Sequence, residues 1–361
     1  MMAPDATQQI LAGEMVLPGA PLDATLAFFA GLGFLVETIF PADAPEVAVI
    51  AGHGLRLRLD SGFAGAAGTI RLRCRAPDAL AEGARALTAP NGTRVEIVAA
   101  ETPLVVPELQ PRLVISRMAD DSAWSAGRAG MAYRDLIPDR LGGRFIASHI
   151  AIEQGGVVPD YVHFHKVRFQ MIFCRTGRVR VVYEDQGAPF WLEPGDCVVQ
   201  PPQIRHRVLE SSAGLEVIEL GCPALHETWA DHAMTLPNPT IDPARDFSGQ
   251  RFHRHVAADV ALTPWRAEGF ARRDTGIGAA TSGLAGASVA YARGARETPA
   301  LRHDGELLLL FVLEGAAVLE VAGRYRLAPG DAVAIPAGMD YALAECAGDL
   351  ALLEVTLPGG I

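Results

Sequence analysis

The stretch His163-Phe164-His165-Lys166-Val167-Arg168-Phe169-Gln170, with His206 further along the chain, decides how this sequence is read. On a strand, side chains alternate between faces, so His163 and His165 point the same way. Neutral imidazoles gathered inside a β-barrel make a site for a divalent transition metal. His163, His165 and His206 are therefore the expected ligands.

Around this stretch the pattern is that of short strands. Arg144 to Ala151, Arg168 to Cys174, Val179 to Tyr183 and Cys197 to Gln200 are bounded by Gly and Pro turns from Ala129 on, which predicts a β-sandwich or barrel. The pattern then repeats. Leu192-Glu193-Pro194-Gly195-Asp196 returns as Leu327-Ala328-Pro329-Gly330-Asp331, and Gln200-Pro201-Pro202 returns as Ile335-Pro336-Ala337. Two copies of one barrel explain a chain of 361 residues, too long for one ordinary core. Aligning the copies sets Leu301, His303 and Leu308 opposite His163, His165 and Gln170, and Tyr341 opposite His206. The second barrel keeps a single candidate ligand and is read as a buttress for the first.

A net charge of -11 argues against a nucleic-acid surface. The five cysteines are odd in number and show no CxxC spacing, so a disulfide framework is not expected and a reducing cytoplasm is. Met1 to Leu17 lacks the basic and apolar regions of a leader, and no apolar run approaches the roughly 20 residues of a membrane span.

Before the barrels the chain alternates strand and helix. Glu14 to Leu17 reads as a strand, and Asp23 as the cap of a helix carrying Leu26, Phe29 and Leu32 that ends at Gly33. Three strands follow within residues 34–59. Thr69 to Cys74 restarts the pattern, with Asp78 to Leu87 read as a helix and Thr93 to Val98 as a strand.

Two resemblances follow from these residues. Gly156, His163, His165, Gln170 and Gly177, then Gly195, Pro201 and His206, resemble the paired motifs of the cupin superfamily. That resemblance implies two jelly-roll barrels in a mainly β protein, and an Fe, Mn, Ni, Zn or Cu ion held by three His and one Glu. Carried over by position, the histidines match, Gln170 stands where the family has Glu, and Gln203 replaces a Gly. The stretches Leu22 to Phe29 and Pro90 to Glu96 resemble the βαβββ modules of the glyoxalase and extradiol-dioxygenase superfamily (vicinal oxygen chelate fold). Only Glu96 falls on a ligand position there, so this α+β module is expected to serve packing or dimerisation. The expected division is 1–100 for this module, 101–122 linker, 123–225 metal-binding barrel, 226–261 connector and 262–361 degenerate barrel.

Bicupins with one three-His site resemble ring-cleaving dioxygenases of the gentisate and 1-hydroxy-2-naphthoate kind. The implied activity is Fe(II)-dependent cleavage of a C–C bond with O2, in a homo-oligomer, a dimer by family habit. Alternatives are a Zn, Ni or Mn cupin acting as isomerase, lyase or hydrolase, and a non-catalytic small-molecule binder. Three neutral ligands leave an ion its full charge, which favours a small anionic, chelating substrate such as a hydroxylated aromatic acid or diketone. Gln170 would bind the ion or tune its open face. Arg168, two residues before Gln170, would clamp a substrate carboxylate. With no carboxylate nearby, proton chemistry is expected from substrate or water. Weaker pocket candidates are Cys174, His149, Tyr161, Arg144, Arg205, Val208 and Glu210. His53, His226, His232 and the pair His253 and His255 are expected at the surface.

Overall fold

The computed structural model describes residues 11–120, 124–127 and 130–359, so Met1–Ile10 and Ala129 lie outside the described residues. The chain divides between Pro103 and Leu104 into two compact units.

In the first unit, Met15–Pro18 runs parallel to Leu55–Asp60, and Val47–Gly52 and Leu35–Phe40 extend the sheet. The helix Leu22–Gly31 starts after Pro21 without a side-chain cap, so Asp23 lies in its first turn rather than capping it. An acid there still meets the favourable end of the helix dipole. Phe29, Phe34, Ile50, Leu57 and Leu59 form the core. In the second half of this unit Thr69–Cys74 and Arg94–Ala99 pair in parallel, flanked by Ala86–Thr88. The helix expected over Asp78 to Leu87 does not form. Two single 3-10 turns, Pro77–Ala79 and Ala81–Gly83, take its place, with Glu82 and Gly83 at φ of 54° and 82°. Positive φ at successive residues cannot continue a right-handed helix. Glu96 accepts from Arg71 and Arg94, so its carboxylate is engaged in surface ion pairs.

The second unit is two jelly-roll barrels packed together. The first has a large sheet in the order His253–His255, Cys197–Val199, Phe169–Thr176, Leu215–Cys222, Ile146–Ile152, Ala132–Asp135 and Trp124–Ala126. It faces a sheet of Phe190–Leu192, Val179–Tyr183, His206–Ser211, His163–His165 and Thr228–Ala230. The second barrel's large sheet runs Thr263–Pro264, Phe270–Asp274, Gly286–Ala292, Ala351–Leu357, Leu307–Glu314, Ala332–Ile335 and Val114–Ser116. Arg324–Leu327, Ala317–Glu320 and Ala342–Ala344 face it.

Strand alternation sorts the residues. Phe169, Met171 and Phe173 pack with Leu307, Leu309 and Phe311 in a core shared by both barrels, while Cys174 with Val181 and Val217, and Leu308 with Leu310, belong to the separate barrel interiors. Truncating a buried Phe in such a core costs about 3–5 kcal/mol.

The segments read as linker and connector both contribute strands. Val114–Ser116 precedes the first barrel yet pairs with Ala332–Ile335 of the second. His253–His255 precedes the second barrel yet pairs with Cys197–Val199 of the first. Each large sheet thus ends on the strand that leads into the other barrel. Asp331 accepts from the backbone of Met118, and Asp196 from that of Ala257, so the repeated Pro-Gly-Asp turns hold these incoming strands. This corrects the reading of His253 and His255 as solvated. His255 is buried in the sheet, and His253 Nε2 lies 2.8 Å from the Thr275 carbonyl oxygen. Arg254, on the opposite face, covers the Phe190 ring. Among the described residues no helix is long and apolar enough to cross a membrane.

Candidate metal centre

His163 is registered directly against His206 on the neighbouring strand, which brings the separated motifs together. His163, His165 and His206 place their ligand atoms within 4.8 Å of one another. Each ring is oriented through Nδ1: to the Tyr161 carbonyl at 2.8 Å, to Thr228 Oγ1 at 2.9 Å and to the Ile204 carbonyl at 3.0 Å, respectively. A carbonyl oxygen only accepts, so His163 and His206 carry their proton on Nδ1 and present the Nε2 lone pair. Fixing a ring by its other nitrogen is the usual support for a metal-ligating histidine. The residues present fit a divalent transition ion: three imidazole donors converge, and among the described residues no lysine or arginine lines the cavity beside them.

Gln203 stands where the second barrel has Gly338, and both adopt positive φ, 65° and 75°. The Gln203 N–H donates to the His165 carbonyl at 3.0 Å, and that of Gly338 to the His303 carbonyl at 2.8 Å. Gln203 accepts the strained conformation and the turn is preserved.

The triad opens into a cavity with an empty volume of about 730 Å³, counted to its open mouth. Gln170 faces inward and its amide nitrogen donates to Glu219 Oε1. Its carbonyl oxygen is then what it can offer to an ion or substrate. Glu219 corrects the expectation that no carboxylate is near. It is registered opposite Ile172, two residues from Gln170 on the same strand, and its side chain lines the cavity. Tyr183 stacks on His206, with ring centroids 5.6 Å apart, and accepts from Gln200 Nε2 at 2.9 Å. Burial pushes the Tyr183 phenol well above its ordinary pKa, so it stays protonated.

Arg168 does not reach the cavity. Its guanidinium is bidentate on Glu306 of the second barrel, at 2.9 and 3.0 Å, and Arg144 joins the same carboxylate at 2.6 Å. The strand begins at Phe169, so inward alternation does not extend back to Arg168. The two guanidinium groups, Arg168 first, hold the Glu306 carboxyl below its ordinary range. Arg205 pairs with Asp231 at 3.2 Å and covers the Phe164 ring, and Glu210 faces Arg180 rather than an imidazole. Cys174 is a buried wall residue whose thiol is pushed up to about 12 by burial, which makes it unreactive. His149 lies between Glu216 and Arg134, its pKa lowered by burial. Val208 lines the cavity, and Tyr161 contributes its carbonyl to His163. His226, read as a surface residue, packs edge-on against His165, with ring centroids 5.3 Å apart.

The second barrel has the same frame and other contents. Leu301 bridges Tyr341 as His163 pairs with His206, and Glu354 opposes Leu310 as Glu219 opposes Ile172. Arg266 comes from the turn between Thr263–Pro264 and Phe270–Asp274. It donates to both oxygens of buried Glu354 and, at 2.5 Å, to the Tyr341 hydroxyl. A guanidinium cation thus sits beside the residues that correspond to His206 and Glu219. His303, the surviving histidine, has Nε2 2.8 Å from the Ile335 carbonyl.

Comparison with known proteins supports this architecture. A family model described as "Cupin domain" matches residues 287–356, within the barrel that lacks the triad. No curated protein matches the chain in sequence. Among solved structures the fold is similar to Bacillus subtilis oxalate decarboxylase, at TM-score 0.52 and 12% identity over 73% of this chain and 81% of that one. It is also similar to salicylate 1,2-dioxygenase from Pseudoaminobacter salicylatoxidans, at TM-score 0.53 and 15% identity over 70% and 86%. A putative glyoxylate-induced protein from Pseudomonas aeruginosa gives TM-score 0.51 and 12% identity over 72% and 95%. The two barrels have the cupin fold.

Proposed function

We propose that the first cupin barrel is a metal-dependent enzyme site in which His163, His165 and His206 hold one divalent ion, Fe(II) in the leading reading, and that it cleaves a C–C bond of a small chelating substrate with O2. The observation that carries this is the convergence of three histidines, each held through Nδ1, in the wall of a cavity lined largely by aliphatic side chains. A bound ion of this kind supplies Lewis acidity and, if it is iron, reactivity toward O2. The protein's own residues supply the rest. Ile150, Ile152 and Val217 exclude water from one side, and Tyr183 stacks against His206. Glu219, held by Gln170, is positioned to take up a proton released by a substrate hydroxyl. The names of two similar structures, a dioxygenase and a decarboxylase, show that this fold hosts both oxidative and redox-neutral chemistry.

That carboxylate also favours a second reading: Zn, Ni or Mn acting as Lewis acid while Glu219 moves the proton, with no need for O2. Metal content by elemental analysis and O2 uptake with catechols, aromatic acids and diketones separate the two. The first reading expects about one iron per chain and substrate-dependent O2 uptake, both lost in His165→Ala. Turnover that proceeds fully under anaerobic conditions would overturn it in favour of the second.

A further inference from the structure

The second barrel has a pocket of its own, with an empty volume of about 710 Å³ counted to its open mouth. It is built partly on positions that correspond to the first cavity. Asp274 pairs with Ser288 and Arg272 with Ala290, as Asp135 pairs with Ser148 and Tyr133 with Ile150. Tyr133 and Glu219 line the first cavity; their counterparts Arg272 and Glu354 line this one, together with Ser288 and Thr356. Ser288 is registered against Glu354, and Thr356 against Leu308, so hydroxyls and carboxylate share the inward face of the sheet with the barrel's leucines.

The polar groups here differ in what they have left to offer. Glu354 accepts from Arg266 through both oxygens, so its charge is already balanced. Arg272 is not spent in this way. Its ion pair with Asp274 is 3.6 Å long, beyond hydrogen-bond reach, and its guanidinium makes no hydrogen bond among the described residues. Asp274 itself accepts from the Gly276 N–H at 2.8 Å. Ser288 and Thr356 are only 4% and 5% exposed, yet neither hydroxyl has a hydrogen-bond partner among the described residues. Hydroxyls buried to this degree are ordinarily paired. Each of these three side chains can donate, so the pocket calls for an acceptor. The guanidinium fork matches a planar carboxylate and supplies its countercharge. A doubly charged anion fits less well, because it would meet Asp274 and Glu354 with a single cation left to balance it.

We propose that the second barrel binds a small monocarboxylic acid as its carboxylate, with Arg272 taking the charge and the Ser288 and Thr356 hydroxyls donating to the remaining lone pairs. The barrel without the triad is then a ligand site in its own right as well as a support for its neighbour. No metal takes part, so this holds whether or not the triad carries an ion.

The test is ligand-observed NMR titration of acetate, its neutral isostere acetamide, and methylphosphonate into the full chain, stripped of metal by a chelator so that the triad offers no ion. Acetate should bind about tenfold tighter than acetamide. Arg272→Gln should weaken acetate by a similar factor and leave acetamide unchanged. Ser288→Ala should weaken acetate about threefold. The acetate and acetamide comparison needs no substitution, so the test survives a variant that fails to fold. Acetate that does not bind the stripped protein overturns the proposal, as does acetamide binding equally well. Acetate affinity unchanged in Arg272→Gln overturns it too, since the anion then sits elsewhere. Methylphosphonate binding more tightly than acetate overturns the assignment to a singly charged carboxylate.

Discussion

The two barrels share a strand order and a register, and they differ in what occupies corresponding inward positions. In the first, three imidazoles converge and the nearby carboxylate is held by a neutral amide, Gln170. In the second, leucine and tyrosine replace two of the imidazoles, and Arg266 neutralises the corresponding carboxylate. A jelly-roll interior tolerates an inward acid when a cation accompanies it. In the second barrel Arg266 is that cation; in the first, the proposed metal ion would supply the charge.

The comparison breaks most sharply at Arg266. Arg266→Met leaves buried Glu354 without its guanidinium partner, and should cost about 3–5 kcal/mol in denaturant unfolding. Arg266→Met combined with Glu354→Leu should recover most of that loss. If the single variant unfolds like the wild type, the guanidinium is not what stabilises the second interior.

In the first barrel the matching probe is Thr228, whose hydroxyl holds His165 Nδ1. Thr228→Val should weaken metal affinity by roughly 10–100-fold, with little change in metal-free stability. Competition against a chromogenic chelator measures this. Unchanged affinity would mean that His165 needs no such support.

The smallest effect concerns the seam. Glu306 of the second barrel is gripped by Arg144 and Arg168 of the first, and its folded pKa is depressed. A depressed carboxyl pKa means that the unfolded chain binds more protons, so the stabilisation is present above about pH 4.3 and lost as pH falls through the folded value. Glu306→Gln should therefore cost roughly 1 kcal/mol at neutral pH, since the group is partly solvated, and converge with the wild type in acid. A gap independent of pH would assign the effect to packing instead.

Much of this was legible beforehand. HxH spacing sets two ligands on one face by alternation alone, and aligning Pro336 with Pro201 puts Tyr341 opposite His206. Gln170 was read inward for the same reason, while Arg168 was misread because alternation stops where the strand does. Glu219 was missed, although a signal was there. It is a lone acid in the apolar run Val217-Ile218-Glu219-Leu220, and the repeat sets Glu354 in the equivalent place within Leu353-Glu354-Val355. An acid retained twice at one inward position marks a charge that the interior compensates. Its partners come from elsewhere in the chain, Gln170 on a neighbouring strand in one barrel and Arg266 in a turn in the other, and such pairs follow tertiary placement rather than local pattern. His253 and His255 were misjudged on the same ground, since a short polar segment reads as solvated until a sheet edge claims it.

The strand Val114–Ser116 has a consequence for synthesis. It leaves the ribosome ahead of both barrels, yet its partner Ala332–Ile335 is among the last strands made. The first barrel likewise waits for His253–His255, which is translated after its own walls. A nascent chain halted between the barrels would carry Cys197–Val199 as a bare sheet edge, the kind that invites pairing with other chains. A cut between the barrels would strip an edge strand from each large sheet.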